Sequence, residues 1–298
     1  LNLSFIPLSA IFAAGNRAMV KMSENSRHLA RLLIDKMPAY FAPEKLQFFD
    51  ETGGVGVEFS KLPFDHLLFT GSGTTGRAVM AAAAQNLCPV TLELGGKAPA
   101  VVCDDFPLAT AAERILFVKC LNAGQICTSV DHVFVPRAQV DEFAKLAAQI
   151  VPQRYPRLDS PDYTSIVDQR SFDRLVGAMD DARSRGATLI NLIDSGPAHD
   201  RASRKIAPHV VLNAPWDSEL LKREIFGPIL PLVAYDTLDE VIARINSGPR
   251  PLALYPFSHD NARIERLLTH VMSGGVSIND ALFHVGQHDL PFGGIGDS

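Results

Sequence analysis

Short apolar runs alternate with stretches of helical period along nearly the whole chain. That alternation reads as βαβ units building mostly parallel sheets, an α/β fold. The first apolar stretch, 4–14, has helical length, and Gly15-Asn16 turns the chain into a strand over 18–22. Ser23 stands where a helix over 24–37 needs an N-cap. A strand over 66–70 runs into Gly71-Ser72-Gly73-Thr74-Thr75-Gly76, followed by an alanine-rich helix over 78–87. A strand over 89–96 breaks at Gly95 and Gly96, and strand 98–103, helix 107–121, strand 132–135 and helix 139–150 come next. Pro152, Pro156 and Pro161 mark 151–165 as an exposed connection. Helix 171–185 ends at Gly186, and residues 223–231 join a polar stretch to a strand. Helix 237–246, strand 251–257, helix 260–272 and strand 275–278 complete a second sheet. No internal repeat or low-complexity linker interrupts the order.

Composition excludes some partners. With 298 residues, 47% hydrophobic and 20% charged, the chain has room for about two domains. A net charge of −5 leaves no basic footprint, so nucleic acid is not an expected partner. Cys88, Cys103, Cys120 and Cys127 show neither Cys-x-x-Cys pairing nor disulfide density, which points to a reducing compartment, the cytoplasm. The nine histidines are scattered, and no metal site is expected. The longest apolar stretch, 5–14, contains Pro7 and falls far short of the roughly 20 residues of a membrane span. Lacking a charged leader, it does not read as a signal peptide either. Leu1 at one end and Leu290-Pro291-Phe292-Gly293-Gly294-Ile295-Gly296-Asp297-Ser298 at the other read as the cut ends of a longer chain.

Several residues invite chemistry. Cys127 lies in Asn122-Ala123-Gly124-Gln125-Ile126-Cys127-Thr128-Ser129, just past a helix, where a turn would leave its sulfur accessible. A thiolate attacks carbonyl carbon well once neighbours lower a thiol pKa of about 8.5. The plain alternative is a small buried apolar residue. Strand, Gly-rich turn and helix N-terminus at 66–87 together offer backbone N–H groups to a phosphate, with Gly71, Ser72 and Gly76 as contacts. The spacing is neither Gly-x-Gly-x-x-Gly nor a P-loop, and no lysine follows, so a pyrophosphate suits it better than a triphosphate. A tight turn merely eased by glycine is the other reading.

Glu93 is one carboxylate among apolar strand residues, where its pKa should rise and suit a general base; the plain alternative is an outward-facing residue on a half-exposed strand, which the lack of a partner favours. Lys97, beside the glycines, is open between structure and function. Lys21 and Glu24 sit where a parallel strand gives way to a helix, the usual ligand position in open α/β sheets. They are otherwise a solvated lysine and a first-turn glutamate. Glu224 would accept hydrogen bonds from ribose hydroxyls with Phe226 beside the base, or is a strand-edge charge.

Four of these stretches, in order, resemble motifs of the aldehyde dehydrogenase superfamily: Phe69-Thr70-Gly71-Ser72, Thr91-Leu92-Glu93-Leu94-Gly95-Gly96-Lys97, Gly124-Gln125-Ile126-Cys127 and Glu224-Ile225-Phe226-Gly227-Pro228. Lys21-Met22-Ser23-Glu24 is similar to that family's Lys-Pro-Ser-Glu, with methionine in place of proline. The similarity runs over essentially the whole chain. Leu87-Cys88-Pro89-Val90 and His288-Asp289-Leu290-Pro291-Phe292-Gly293-Gly294 look most like the branch that acts on fatty and aromatic aldehydes.

The resemblance implies two Rossmann-like parallel-sheet domains, incomplete at both termini. Residues 1–95 would belong to an NAD-binding domain, 96–285 to a catalytic cysteine domain and 286–298 to a C-terminal return segment. It implies that Cys127 attacks an aldehyde to give a thiohemiacetal, that hydride passes to the nicotinamide, and that Glu93-activated water releases the acid. Lys21 and Glu24 would hold the adenosine ribose, Ser72 and the 71–76 turn the pyrophosphate, and Glu224 with Phe226 the nicotinamide riboside, with Leu94 a further cofactor contact. The expected cofactor is NAD, because Glu24 would repel a 2′-phosphate, with NADP as the alternative. The expected substrate is an aromatic aldehyde such as coniferyl aldehyde, or a fatty one, and the intact protein is expected to be a homodimer.

One departure matters. The family's Trp-Asn-x-Pro element, whose asparagine helps hold the oxyanion, would end just before Leu1. Losing one such donor costs on the order of 10²- to 10³-fold in rate. Two other readings follow: a chain that keeps the fold and binds NAD without turnover, and a cysteine hydrolase, for which no histidine stands out as partner to Cys127.

Overall fold

The computed structural model describes residues 2–51, 54–193, 196–287 and 289–298; His288, the first residue of the 288–294 motif, and Leu1 lie outside them. The chain divides into two units, Leu1–Glu93 and Leu94–Ser298.

In the first unit, helix α1 (Asn2–Ala13) leads to strand β1 (Ala18–Lys21). Ser23 caps as expected, its hydroxyl accepting from the Asn25 amide. The turn it caps is a 3-10 turn (Glu24–Ser26), and α2 (Arg27–Lys36) starts only after it. Strand β2 (Leu46–Phe49) pairs parallel to β1. Four residues of alternating burial are too short a signal to stand out in sequence, and so is the short helix α3 (Val55–Phe59). Leu8, Met22, Ala30, Leu33, Leu46 and Phe48 form the core beneath these elements. Strand β3 (Leu67–Gly71) runs through Ser72 into α4 (Gly73–Ala84), and β4 (Val90–Leu94) pairs with β3.

The glycine-rich turn expected over 71–76 is therefore absent. Gly71 ends the strand, Ser72 caps, and the helix already includes Gly73 and Gly76. None of the three has a positive φ, so no loop of the kind glycine permits is needed. Gly71 answers a packing demand instead, since a side chain there would run into the Phe69 ring.

In the second unit, strands β5 (Pro99–Val102) and β6 (His132–Pro136) flank helix α5 (Leu108–Cys120) in sequence, and α6 (Val140–Arg154), α7 (Gln169–Ser184) and β7 (Thr188–Asn191) follow. A small antiparallel pair, β8 (His199–Asp200) and β9 (Lys205–Ile206), precedes β10 (His209–Leu212). Then come α8 (Glu219–Lys222), β11 (Ile229–Tyr235), α9 (Leu238–Asn246), β12 (Ala253–Phe257), α10 (Asn261–His270) and β13 (Gly275–Val276). Seven strands make one sheet in the order β13-β12-β5-β6-β11-β10-β7. All its pairings are parallel except that of β10 with β7. Its central strands read as unbroken apolar runs because core packs on both faces.

The exposed connection expected over 151–165 is only partly so. Helix α6 continues through Pro152 to Arg154, because a proline in the last turn forfeits a single helical hydrogen bond. Leu158 and Tyr163 are buried, and the Tyr163 hydroxyl donates to the Ile206 carbonyl at 2.7 Å. Among the described residues, no helix is long and apolar enough to cross a membrane.

Candidate active site

Cys127 sits half-buried on a turn between α5 and β6. The helix stops at Cys120, and the chain then takes three consecutive left-handed residues, Asn122 (φ 51°), Ala123 (φ 52°) and Gly124 (φ 71°). At Ala123 this costs about 1–2 kcal/mol, which surrounding contacts must offset. Gln125 supplies them: its side-chain amide donates to the carbonyls of Asn122 (3.0 Å) and Ser165 (3.1 Å) and accepts from the Val167 amide (2.8 Å). The Asn122 side chain donates back to the Gln125 carbonyl at 3.0 Å. Beyond the cysteine, the Ser129 amide closes on the Ile126 carbonyl at 2.9 Å. The nucleophile candidate thus rides on a strained backbone held by named side chains.

Glu224 is not at a strand edge. It lies in the coil between α8 and β11, largely buried, with its carboxylate pressed on Gly95, where any side chain would collide with it. Burial, with the Asp131 carboxylate nearby, raises its pKa to about 7. Phe226 takes φ 49° and stays 36% exposed. The next residue, Gly227, turns its carbonyl onto Gly124, leaving no room for a side chain at Gly124. The loop carrying Glu224 and Phe226 therefore packs directly on the turn that leads to Cys127.

Three charged side chains hold that loop, and sequence reasoning missed two of them. Lys97, left open above, is structural: it pairs with buried Asp131 and donates to the carbonyls of Leu220 (3.2 Å) and Arg223 (2.9 Å). Asp131 accepts from the Ile225 amide at 2.9 Å, and Arg174 donates to the Ile225 carbonyl at 2.8 Å. Burial opposes ionisation of Asp131, but Lys97, His132 and Lys119 together hold its pKa below the usual carboxylate range. Lys119, fully buried, donates to the Val130 carbonyl at 2.9 Å, and burial lowers its pKa to about 8. No local signal could have revealed Asp131 or Arg174, since their partners lie far along the chain.

In the first unit, Lys21 at the end of β1 is ion-paired with Glu51. Glu24 is exposed in the 3-10 turn that follows. The Ser72 hydroxyl accepts from the Thr75 amide (3.3 Å) and contacts the Thr75 hydroxyl (3.0 Å). The Gly76 amide is spent on the Ser72 carbonyl at 2.8 Å, so the phosphate contact expected of Gly76 has no amide to make it. The amides of Gly73 and Thr74, in the first helical turn, have no intrahelical acceptor. Glu93 is half-buried on β4, and burial raises its pKa. The Leu94 side chain is buried in core, which leaves its backbone for any ligand.

Comparison with known proteins adds the following. The model of the "Aldehyde dehydrogenase family" matches residues 1–298. A "Probable coniferyl aldehyde dehydrogenase" of Pseudomonas aeruginosa is 49% identical over 299 residues, covering 100% of this chain and 62% of that protein. The mouse (Mus musculus) "Aldehyde dehydrogenase, dimeric NADP-preferring" is 38% identical over 306 residues, covering 100% of this chain and 64% of the relative. The solved structure "Substrate bound state of Staphylococcus Aureus AldH" superposes with a TM-score of 0.93 at 36% identity, covering 99% of this chain and 64% of that one. The chain spans about three fifths of the length of these curated relatives.

Proposed function

Since the chain belongs to the aldehyde dehydrogenase family, we propose that the intact protein oxidises an aldehyde to the carboxylic acid with a nicotinamide dinucleotide, and that Cys127 is its nucleophile. The observation that carries this is the strained turn of Cys127, held by Gln125 and backed by the Glu224 loop.

The Cys127 sulfur adds to the aldehyde carbon, forming a C–S bond while the carbonyl oxygen takes up negative charge. The dinucleotide, when bound, supplies the acceptor for the two electrons and hydrogen whose loss turns this thiohemiacetal into a thioester. Glu93, with its raised pKa, takes a proton from water; the water oxygen bonds to the acyl carbon, the C–S bond breaks, and the acid and the Cys127 thiolate are released, with the proton left on Glu93 to return to solvent.

Each unit by itself carries residues that fit part of the dinucleotide. Ser72 and the Gly73 and Thr74 amides at the α4 N-terminus suit its pyrophosphate, and the exposed Glu24 carboxylate with Lys21 suits the adenosine ribose. Glu224 and Phe226 suit the nicotinamide riboside, Glu224 giving up its place against Gly95. Glu24 favours NAD because its charge opposes a 2′-phosphate. The mouse relative's name says NADP-preferring, so both dinucleotides belong in the test. The Pseudomonas relative's name supports an aromatic substrate of the coniferyl type, with fatty aldehydes as the alternative. The word "dimeric" in the mouse name supports a homodimer. A reactive thiol supports a reducing location, the cytoplasm.

The test follows NADH and NADPH formation by the intact protein, given NAD or NADP in turn, with aromatic and fatty aldehydes. Cys127→Ala should abolish it, and turnover retained in that variant would overturn the nucleophile assignment.

A further inference from the structure

Tyr255 lies on β12 with no exposed surface, and a buried phenol requires a hydrogen-bond partner. Its hydroxyl donates to the Thr128 carbonyl at 2.5 Å. Thr128 immediately follows Cys127 and is itself buried. The Thr128 hydroxyl and the Leu282 backbone amide face the same phenol oxygen.

Leu282 belongs to a tightly held loop. It takes a positive φ (71°), as does Asn279 (60°), and the Phe283 amide closes a three-residue turn around it onto the Ala281 carbonyl at 2.9 Å. The Asn279 amide donates to the Pro256 carbonyl (2.7 Å), its side-chain oxygen accepts from the Ser258 amide (2.8 Å), and Arg114 donates to its carbonyl. The His284 ring, bonded to the Ser277 hydroxyl at 3.0 Å, packs 6.0 Å from the Tyr255 ring.

We propose that Tyr255 is a positioning residue for the thiol: its hydroxyl fixes the carbonyl of Thr128, the residue after Cys127, and ties that turn to loop 279–286. Gln125 pins the turn on its N-terminal side; Tyr255 pins it on the other. A nucleophile needs both, since a misplacement near 1 Å costs on the order of 10²-fold in rate. The inference rests on the reading of Cys127 as nucleophile.

The molecule contains its own control. Tyr235, on β11 of the same sheet, is also buried, and its hydroxyl donates to the Val102 carbonyl at 2.7 Å. Its neighbours are Cys103 and Val102 rather than the Cys127 turn.

Tyr255→Phe and Tyr235→Phe are compared in the intact protein by two readouts. One is the pH dependence of Cys127 alkylation by iodoacetamide, mapped by mass spectrometry; the other is kcat and KM for NADH formation. Tyr255→Phe should lower kcat by about 10- to 100-fold, leave KM for the dinucleotide within about twofold and shift the alkylation profile. Tyr235→Phe should change none of these. Equal effects of the two substitutions, or an unchanged profile in Tyr255→Phe, overturn the proposal. Should Tyr255→Phe not fold, 3-fluorotyrosine at position 255 keeps the ring and the hydroxyl, adds one fluorine beside it and makes the hydroxyl a stronger donor to the Thr128 carbonyl. An alkylation rate unchanged by that replacement overturns the proposal too, and a changed one supports it. If Cys127→Ala still makes NADH, the nucleophile reading fails, while the alkylation comparison still decides whether Tyr255 positions the thiol.

Discussion

Glu224 holds its proton in the folded chain up to a pH of about 7, chiefly because of burial and secondarily because of Asp131. An unfolded glutamate releases it near pH 4.3. Between those values the folded state binds more protons than the unfolded one, so this group makes stability fall as pH rises through the window and adds no slope above it. The difference in unfolding free energy between the parent and Glu224→Gln should therefore fall by about 3 kcal/mol from pH 4.5 to 7 and then level off. Urea unfolding at several pH values measures it, and a flat difference would mean that Glu224 ionises freely in the fold. The same carboxylate explains why residue 95 is glycine, since no side chain fits beside it.

Two elements carry expectations of their own. Helix α4 begins at a cap that is also the proposed phosphate contact. Ser72→Ala should cost about 0.5–2 kcal/mol in stability and Ser72→Gly only a few tenths. If the hydroxyl also contacts the dinucleotide, both variants should lose affinity for it alike, which calorimetric titration would show; affinity tracking stability would assign Ser72 to capping alone. The coil between α8 and β11 depends on Lys97, which neutralises buried Asp131 and holds two of the segment's carbonyls. Lys97→Met strands that carboxylate, so about 3–5 kcal/mol should be lost in urea unfolding. A loss under 1 kcal/mol would show that the pair contributes little.

For the whole molecule, the two units differ in how much sheet they contain. The second carries a seven-stranded sheet with apolar core on both faces, whereas the first contains two-stranded sheets over smaller clusters. Paired strands with few neighbours open at lower free energy than central strands of a covered sheet. Amide exchange should accordingly be slowest in β5, β6, β11 and β12 and markedly faster in β1 to β4. Equal protection in both sets would contradict this.

What the sequence by itself determined is what depends on residues a few positions apart. The alternation of apolar runs and helical periods yields the α/β class. Ser23 and Gly186 mark helix ends because caps and left-handed exits are local chemistry, whereas the cap at Ser72 reads in the sequence as part of a phosphate turn. The turn of Cys127 follows from a glycine and small polar residues after a helix. Elements too short to carry a period, such as β2 and α3, and a proline tolerated in the last turn of α6 escaped that reading. Tertiary structure alone decided which distant residues meet. Lys97 meets Asp131 34 positions on, Asp131 meets Ile225 94 positions on, and Thr128 meets Tyr255 127 positions on. These meetings follow from strand order, which sets β5 between β12 and β6. A buried charge or hydroxyl is satisfied by whatever the sheet brings beside it, and no local pattern encodes that neighbour.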